Sequence, residues 1–295
     1  MCPDTPVINF FCRVVTLNEF FQWGVVAHFL FSPFIIQGAI ITVVLAVISQ
    51  IVGVVIGLML YFMRRSQVGV LRWLANGYIW LFRGTPLILQ ILLADSFFVI
   101  SGMAHQIDKI DFFPSIGFPL VLFTLFVEAF VALALNEGAY MAEIVRAGID
   151  AIDVGQMEAA KSLGMTYGQA MRRIILPQAA RVIIPPLGNE FNSMLKNTSL
   201  AEAISLAELT RTAQLIGSSG FLTLETLVDA GIWYLAMTTV WTAIQVMIER
   251  RLNVSVLDSG PSDRGSFWSR VFGFGRRPAP GIAVEAVAGL PADHR

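Results

Sequence analysis

A long stretch without formal charge near the start of the chain most constrains its fold. Between Glu19 and Arg64 there is no Asp, Glu, Lys or Arg, and this stretch contains the apolar run "GAIITVVLAVISQIVGVVIGLMLYFM". A bilayer core about 30 Å thick needs about 20 mostly apolar residues in a helix. The run is long enough, and it therefore predicts a chain that crosses a membrane.

The composition agrees with a membrane protein. Hydrophobic residues make up 56% of the 295 residues and charged residues 14%, whereas soluble domains carry about 25% charged residues. A net charge of -1 gives no reason to expect nucleic acid as a partner. Cys2 and Cys12 are too few for a disulfide framework. We expect no cleavable signal, because Asp4, Arg13 and Glu19 interrupt the start of the chain.

Five segments are apolar and long enough to span a bilayer, which predicts an all-α polytopic membrane protein. They are Ile36–Met63, Pro86–Met103, Phe118–Tyr140, Val182–Ile204 and Thr226–Ile248. Residues 36–252 then form the transmembrane domain. Residues 1–35 form an N-terminal segment outside the cytoplasm or at the membrane surface, and residues 253–295 form a mostly disordered tail rich in Gly, Pro and Ser.

The distribution of basic residues predicts the orientation of these spans. Most of the 20 Lys and Arg residues follow span one, lie between spans three and four, or follow span five. Positive residues mark the cytoplasmic side, so the N-terminus is expected outside and the C-terminus in the cytoplasm. Phe20–Ile35 could instead be a sixth, short span, which would move the N-terminus inside. Pro33 favours a helix on the outer surface.

The polar loop between spans three and four (about residues 142–181) is patterned as two short capped helices. Asp153 with Gln156 and Thr166 with Gln169 both have capping-box spacing. Gly164 falls where a left-handed residue would end the first helix. The second helix is expected to stop near Pro177. The loop is therefore expected to be a folded elbow.

Ala159 and Ala160 give the first of these helices a smooth face, on the cytoplasmic side of the membrane. Lipid cannot cover a face on that side, so we expect it to dock onto a soluble partner. The stretch from Glu158 to Pro177, "EAAKSLGMTYGQAMRRIILP", resembles the signature loop of ABC importer permeases. The residues that fit its spacing are Glu158, Ala159, Ala160, Gly164, Ile174, Leu176 and Pro177.

Further segments resemble the branch of that family that takes up polar amino acids such as histidine, glutamate, glutamine, arginine or opines. They are "FRGTPLILQ" (residues 82–90), "NEGAYMAEIVRAGI" (136–149), "LKNTSLAEAI" (195–204), "AELTRTAQ" (207–214) and "ERRL" (249–252). The resemblance implies a permease subunit in the bacterial inner membrane, without a cofactor. It also implies a separate ATPase docked on the loop, a second permease, a periplasmic amino-acid-binding protein and an amino acid substrate.

The lysines support a separate ATPase. A phosphate-binding loop of the form G-x-x-x-x-G-K-[ST] needs a lysine after a glycine. Lys109, Lys161 and Lys196 are the only lysines, and none follows a glycine. Hydrolysis of ATP would therefore occur on another chain, and this chain is not expected to be an enzyme.

Span four has a polar stripe along one side. At 100° per residue its polar side chains share one arc of about 160°: Asn189, Glu190, Asn192, Ser193, Lys196 and Asn197. A helix divided in this way is expected to face a bundle interior or an aqueous path. Asn189, Glu190, Ser193 and Lys196, together with Asp95 of span two, are therefore candidate path residues. Alternatively, Lys196 pairs with Asp95, Glu128 or Glu190, or hydrogen-bonds a helix end, and only holds the bundle together.

Other functions find less support in the residues. His28, His105 and His294 are far apart and have no metal-ligand spacing. No G-x-S-x-G or H-E-x-x-H motif occurs. The alternative is an ion-coupled secondary transporter of small polar solutes, in which Asp95, Glu128, Glu190 and Lys196 would carry the coupling.

Overall fold

The computed structural model describes residues 21–103, 120–220 and 222–252. The regular elements over these residues are all helical. They are α1 (Trp23–Phe29), α2 (Pro33–Arg65), α3 (Gly69–Gly84), α4 (Leu87–Ile100), α5 (Leu120–Asp150), α6 (Val154–Ser162), α7 (Tyr167–Ala170), a π-helical turn (Met171–Ile175), α8 (Leu176–Asn197), a 3-10 helix (Thr198–Ile204), α9 (Leu209–Ser218) and α10 (Thr223–Arg251). The expected tail, residues 253–295, lies outside the described residues.

The long helices α2 and α5 form the centre of the bundle. Their backbones come close enough that a Cβ added at Gly57 would collide with Met141. Small residues at a helix contact allow this approach within a membrane. The Gln50 side chain donates a hydrogen bond of 2.9 Å to Glu137 Oε1 across the same contact. This pair of helices carries the elbow at the end where α5 finishes.

The chain before α2 does not form a sixth span within the described residues. Helix α1 has 7 residues, and at 1.5 Å per residue it is about 10 Å long. It packs on the start of α10, where Trp233 Nε1 donates to the Leu30 carbonyl at 2.8 Å. Ser32 caps α2 and Pro33 occupies its first turn, so the proline separates the two helices.

Three described helices have the length and hydropathy to cross a membrane: Pro33–Arg65, Leu122–Asp150 and Thr223–Arg251. The count rises to four if α3 and α4, which meet at an angle of 109°, are taken as one broken span. Helix α8 occupies the predicted fourth span but is too polar to join this set. The number of five spans thus remains a prediction.

The expectation that the second elbow helix stops near Pro177 is wrong. The chain continues as helix from α7 through the π-helical turn into α8, with Pro177 in the first turn of α8. Leu176 N–H bonds the Met171 carbonyl five residues back. A π-helical turn is wider than an α-helical one, and proline is tolerated in a first helical turn, where its missing N–H is not needed. The elbow and span four are therefore joined by continuous helix.

Candidate functional site: an elbow and a polar stripe

The elbow is the segment from Asp153 to Pro177, and its local hydrogen bonds explain the spacing of the signature motif. At the end of α6, Met165 N–H bonds the Ala160 carbonyl at 3.1 Å, and Gly164 N–H bonds the Lys161 carbonyl at 2.9 Å. This pair of bonds is a Schellman motif, and Gly164 has the left-handed φ of 79° that it requires. The four-residue step from Ala160 to Gly164 is thus a helix-ending signal.

The predicted caps of the two elbow helices are both present, but only one is a full capping box. Thr166 and Gln169 bond each other's backbone N–H groups reciprocally, as predicted. Asp153 caps α6 differently, because its side chain accepts from Gly155 N–H at 2.7 Å. Local side-chain hydrogen bonds therefore determine where both helices begin.

The motif residues divide between the inside and the outside of the elbow. Ala160 is 1% exposed, and Ile174 packs with Met157 against the apolar cluster at the end of α5. Glu158, Ala159, Gly164, Leu176 and Pro177 are exposed. Of the two alanines expected to form the smooth face, only Ala159 lies on it.

Two apolar residues on the elbow surface were missed by sequence reasoning. Leu163 is 82% exposed and Val154 is 72% exposed. Leu163 follows Ala159 by one helical turn and therefore lies on the same side of α6. The sequence signal that could have indicated Leu163 is its i, i+4 spacing from Ala159, next to the Glu-Ala-Ala triplet. We call Leu163, Ala159 and the adjacent Glu158 the elbow face, whereas Val154, nine residues before Leu163, lies on the opposite side of α6.

The polar stripe on α8 is present, and the side-chain amides of Asn189 and Asn192 form hydrogen bonds with α10. Asn189 Oδ1 accepts from Gln245 Nε2 at 3.3 Å, and Asn192 Nδ2 donates to Thr242 Oγ1 at 3.3 Å. Ser193 is half-buried and donates to the Asn189 carbonyl. These bonds fix which side of α8 faces α10.

The charged residues of the stripe are less enclosed. Glu190 is half-buried and lies within electrostatic range of Arg83, whose guanidinium sits over the Tyr140 ring at 5.5 Å. Lys196 is exposed. The ion pairs within the described ranges join Arg64 to Glu143 and Arg146 to Glu143 and Asp150. Lys196 belongs to none of them, so the pairing of Lys196 that would merely hold the bundle together is not formed among these residues.

Asp95 lies on the side of α4 that faces the bundle. It is half-buried and follows Ile91 by one helical turn. Ile91 packs in one cluster with Met194 and Leu195 of α8. The helix itself contacts the 3-10 helix that follows α8. Over the described residues, no group of three or more His, Cys, Asp or Glu residues is arranged to hold a metal ion.

The fold and these two features match a known class of membrane protein. A family described as "Binding-protein-dependent transport system inner membrane component" matches residues 53–254. The chain belongs to this family, as the resemblance of its motifs predicted. It is a permease component of the inner membrane and not an enzyme, and the ATPase is a separate subunit.

Two similar proteins are amino acid transport permeases. The arginine transport system permease protein of Corynebacterium glutamicum is 42% identical, over 79% of this chain and 72% of the relative. The L-cystine transport system permease protein of Bacillus subtilis is 37% identical, over 81% of this chain and 94% of the relative.

Solved structures of ABC transporters are also similar to this chain. One of an amino acid ABC transporter with histidines superimposes with a TM-score of 0.62 at 38% identity, over 74% of this chain and 94% of that chain. The inward-facing MetNI methionine ABC transporter, at 17% identity and a TM-score of 0.57, shares the fold. The predicted function, an ABC amino-acid permease subunit, is confirmed, and the ion-coupled alternative loses its basis.

Proposed function

We propose that this chain forms half of the membrane pathway of an importer for polar amino acids and is driven through its elbow face. The observation that carries the proposal is that the elbow, which lies outside the predicted spans, exposes Leu163 beside Ala159 and also exposes Val154 and Tyr167 elsewhere on its surface. Large apolar side chains exposed together on a surface mark an interaction site. A protein partner on the cytoplasmic side would cover them, and the ATPase subunit is the partner that the family provides.

The polar stripe supports a pathway shared with a second permease. Asn189 and Lys196 are exposed in the single chain. A charged residue facing lipid at the centre of a helix costs about 2.5–3.5 kcal/mol on insertion scales. We therefore place the stripe against an aqueous path closed by a second permease subunit, identical or different.

The substrate class follows from the chemistry of the stripe and from the relatives. Lys196 would meet the α-carboxylate of an amino acid and Glu190 its ammonium group, with Asn189, Ser193 and Asp95 beside them. Relatives are named for arginine, L-cystine and glutamate/aspartate, which all carry polar or charged side chains. A periplasmic binding protein would deliver the amino acid to the outer side, with the N-terminus outside and the C-terminus in the cytoplasm.

The elbow face is tested by charge substitution. Ala159→Arg, Glu158→Lys and Leu163→Asp are made in the complete transporter, with Ala147→Arg, an exposed alanine on α5, as the matched control. Each elbow variant is expected to lose about 2 kcal/mol of ATPase binding, roughly a 30-fold loss of affinity, because a charge replaces a contact in the centre of the interface. The measurements are co-purification of the ATPase and ATP-dependent uptake of L-arginine, L-cystine and L-glutamate into proteoliposomes.

The control should retain both the ATPase and uptake. Normal ATPase binding by Ala159→Arg and Leu163→Asp together would overturn the docking proposal. Uptake that survives in them and follows an ion gradient would revive the secondary-transporter alternative.

A further inference from the structure

Two of the segments that carry the family resemblance meet at the bend between α3 and α4. Pro86 has no backbone N–H, and Thr85 before it is extended, with φ -116° and ψ 147°. The helical hydrogen bonds therefore stop here, and the last carbonyls of α3 lose their partners in the helix. Within a membrane each unsatisfied backbone group costs several kcal/mol.

Side chains from the bend itself and from two helices satisfy these carbonyls. Thr85 Oγ1 donates to the Leu81 carbonyl at 2.9 Å. Gln90 Nε2, from α4, donates to the Phe82 carbonyl at 2.9 Å. Asn136 Nδ2, from α5, donates to the same Phe82 carbonyl at 3.1 Å and to Gln90 Oε1 at 3.0 Å. We call this group the bend latch: the Phe82 carbonyl and the side chains of Thr85, Gln90 and Asn136.

The two amide side chains of the bend latch are buried, and they connect α3 and α4 to α5. Gln90 is 9% exposed and Asn136 is 8% exposed. Phe82 and Gln90 are the first and last residues of "FRGTPLILQ", and Asn136 is the first residue of "NEGAYMAEIVRAGI". The two segments thus meet through the residues at their ends.

Helix α5 connects the bend latch to the elbow. Asn136 precedes Asp150, the last residue of α5, by 14 residues, which is about 21 Å of continuous helix. The end of α5 packs against the elbow through Val145 and Ile149. On the far side of the bend, α4 contacts the 3-10 helix that follows α8, and Ile91 packs in one cluster with Met194 and Leu195 on the apolar side of α8.

We propose that Gln90 and Asn136 are positioning residues for transport, because they make the bend and α4 move as one body with α5. A displacement of the elbow would then reach the polar stripe through α5, the bend latch and α4. This inference rests on the proposed docking at the elbow face. An apolar replacement of either residue would remove the hydrogen bond between Gln90 and Asn136, and replacement of both would also remove the two donors of the Phe82 carbonyl.

The test separates this coupling from simple packing. The variants are Gln90→Met, Asn136→Leu and the double variant. Tyr78→Phe is the matched control, since it removes another α3–α5 hydrogen bond, from Tyr78 to the Leu135 carbonyl at 2.7 Å, and spares the bend latch. Spin labels at Ser96→Cys on α4 and Ala147→Cys on α5, both exposed, report the distance between the helices, with Cys2 and Cys12 replaced by serine.

The parent protein and Tyr78→Phe are expected to give one narrow distance distribution, with or without ATP. Gln90→Met and Asn136→Leu should broaden it and lower the amino acid transported per ATP hydrolysed about tenfold. ATPase co-purification should not change. The double variant should be the most impaired, because only it removes both side-chain donors of the Phe82 carbonyl.

Several results would overturn the proposal: a narrow distribution in Gln90→Met and Asn136→Leu, an unchanged ratio of transport to hydrolysis, or an equal loss in Tyr78→Phe. Should Asn136→Leu not accumulate in the membrane, the milder Gln90→Met decides. Failure of the parent to bind the ATPase would count against docking at the elbow. The distances measured without nucleotide would still decide whether the bend latch holds α4 to α5.

Discussion

At the scale of single residues, Gly164 sets the angle at which the elbow turns. Its φ of 79° is a conformation that a residue with a side chain rarely adopts. We expect Gly164→Ala to destabilise the turn by about 1–2 kcal/mol. Gly168→Ala is the control, because that glycine lies in α7 with open space around it and no left-handed φ. Hydrogen exchange at the Met165 amide, which bonds the Ala160 carbonyl, measures the effect and should accelerate in Gly164→Ala alone.

The charged residues of the polar stripe permit a second test at this scale. Lys196→Met and Glu190→Gln are each expected to lower uptake about tenfold, because each removes one charge-assisted contact with the amino acid. Uptake is compared at equal ATPase activity, so that a loss of uptake reflects the substrate path in the membrane and not a change in ATP hydrolysis. Glu202→Gln, the same change on the 3-10 helix beyond α8, should transport normally. Normal uptake in both stripe variants would show that the stripe does not contact substrate.

At the scale of helices, the contact between α2 and α5 depends on the absence of a side chain at Gly57. Gly57→Leu would force the helices apart at Met141, and overpacking of this kind costs about 1–3 kcal/mol. Gly77→Leu is the control, because nothing lies within 4 Å of that glycine's Cβ position on α3. Thermal unfolding in detergent should show a lower midpoint for Gly57→Leu only. Equal midpoints for the two variants would mean that the helices do not approach so closely.

Apolar runs allowed prediction of the central helices but not of their polar extensions. Span one, Ile36–Met63, lies within α2 (Pro33–Arg65), and span five lies within α10. Span three was predicted to end at Tyr140, whereas α5 continues to Asp150. The extension carries Glu143, Arg146 and Asp150, whose ion pairs stabilise it outside the apolar core. A prediction from hydropathy ends a span where charged residues begin, and it does not take ion pairs between those residues into account.

The bend and the continuous helix into α8 could not be predicted, for a shared reason. Proline at positions 86 and 177 predicts only that a regular hydrogen bond is missing. At Pro86 the free carbonyls are bonded by Gln90 and by Asn136 of a distant helix. At Pro177 a π-helical turn lets the helix continue. The outcome therefore depends on tertiary contacts and backbone adjustment, neither of which the local pattern contains.

At the scale of the whole molecule, the elbow face and the polar stripe act together only if the chain has one orientation. From the bias of Lys and Arg we propose that the elbow lies in the cytoplasm and the turn between α9 and α10 outside. The family assignment establishes an inner-membrane protein, and the orientation follows from the basic residues alone. Docking of an ATPase at the elbow requires this orientation, because ATP is in the cytoplasm.

Cysteine accessibility tests the orientation directly. In a chain with Cys2→Ser and Cys12→Ser, Val154→Cys on the elbow and Ser219→Cys after α9 are both exposed positions. A membrane-impermeant maleimide added to intact spheroplasts should label Ser219→Cys and leave Val154→Cys unlabelled. In inverted vesicles the result should reverse, because the cytoplasmic side then faces the reagent. Labelling of Val154→Cys from outside intact cells would place the elbow away from ATP, and the proposed docking would then be physically impossible.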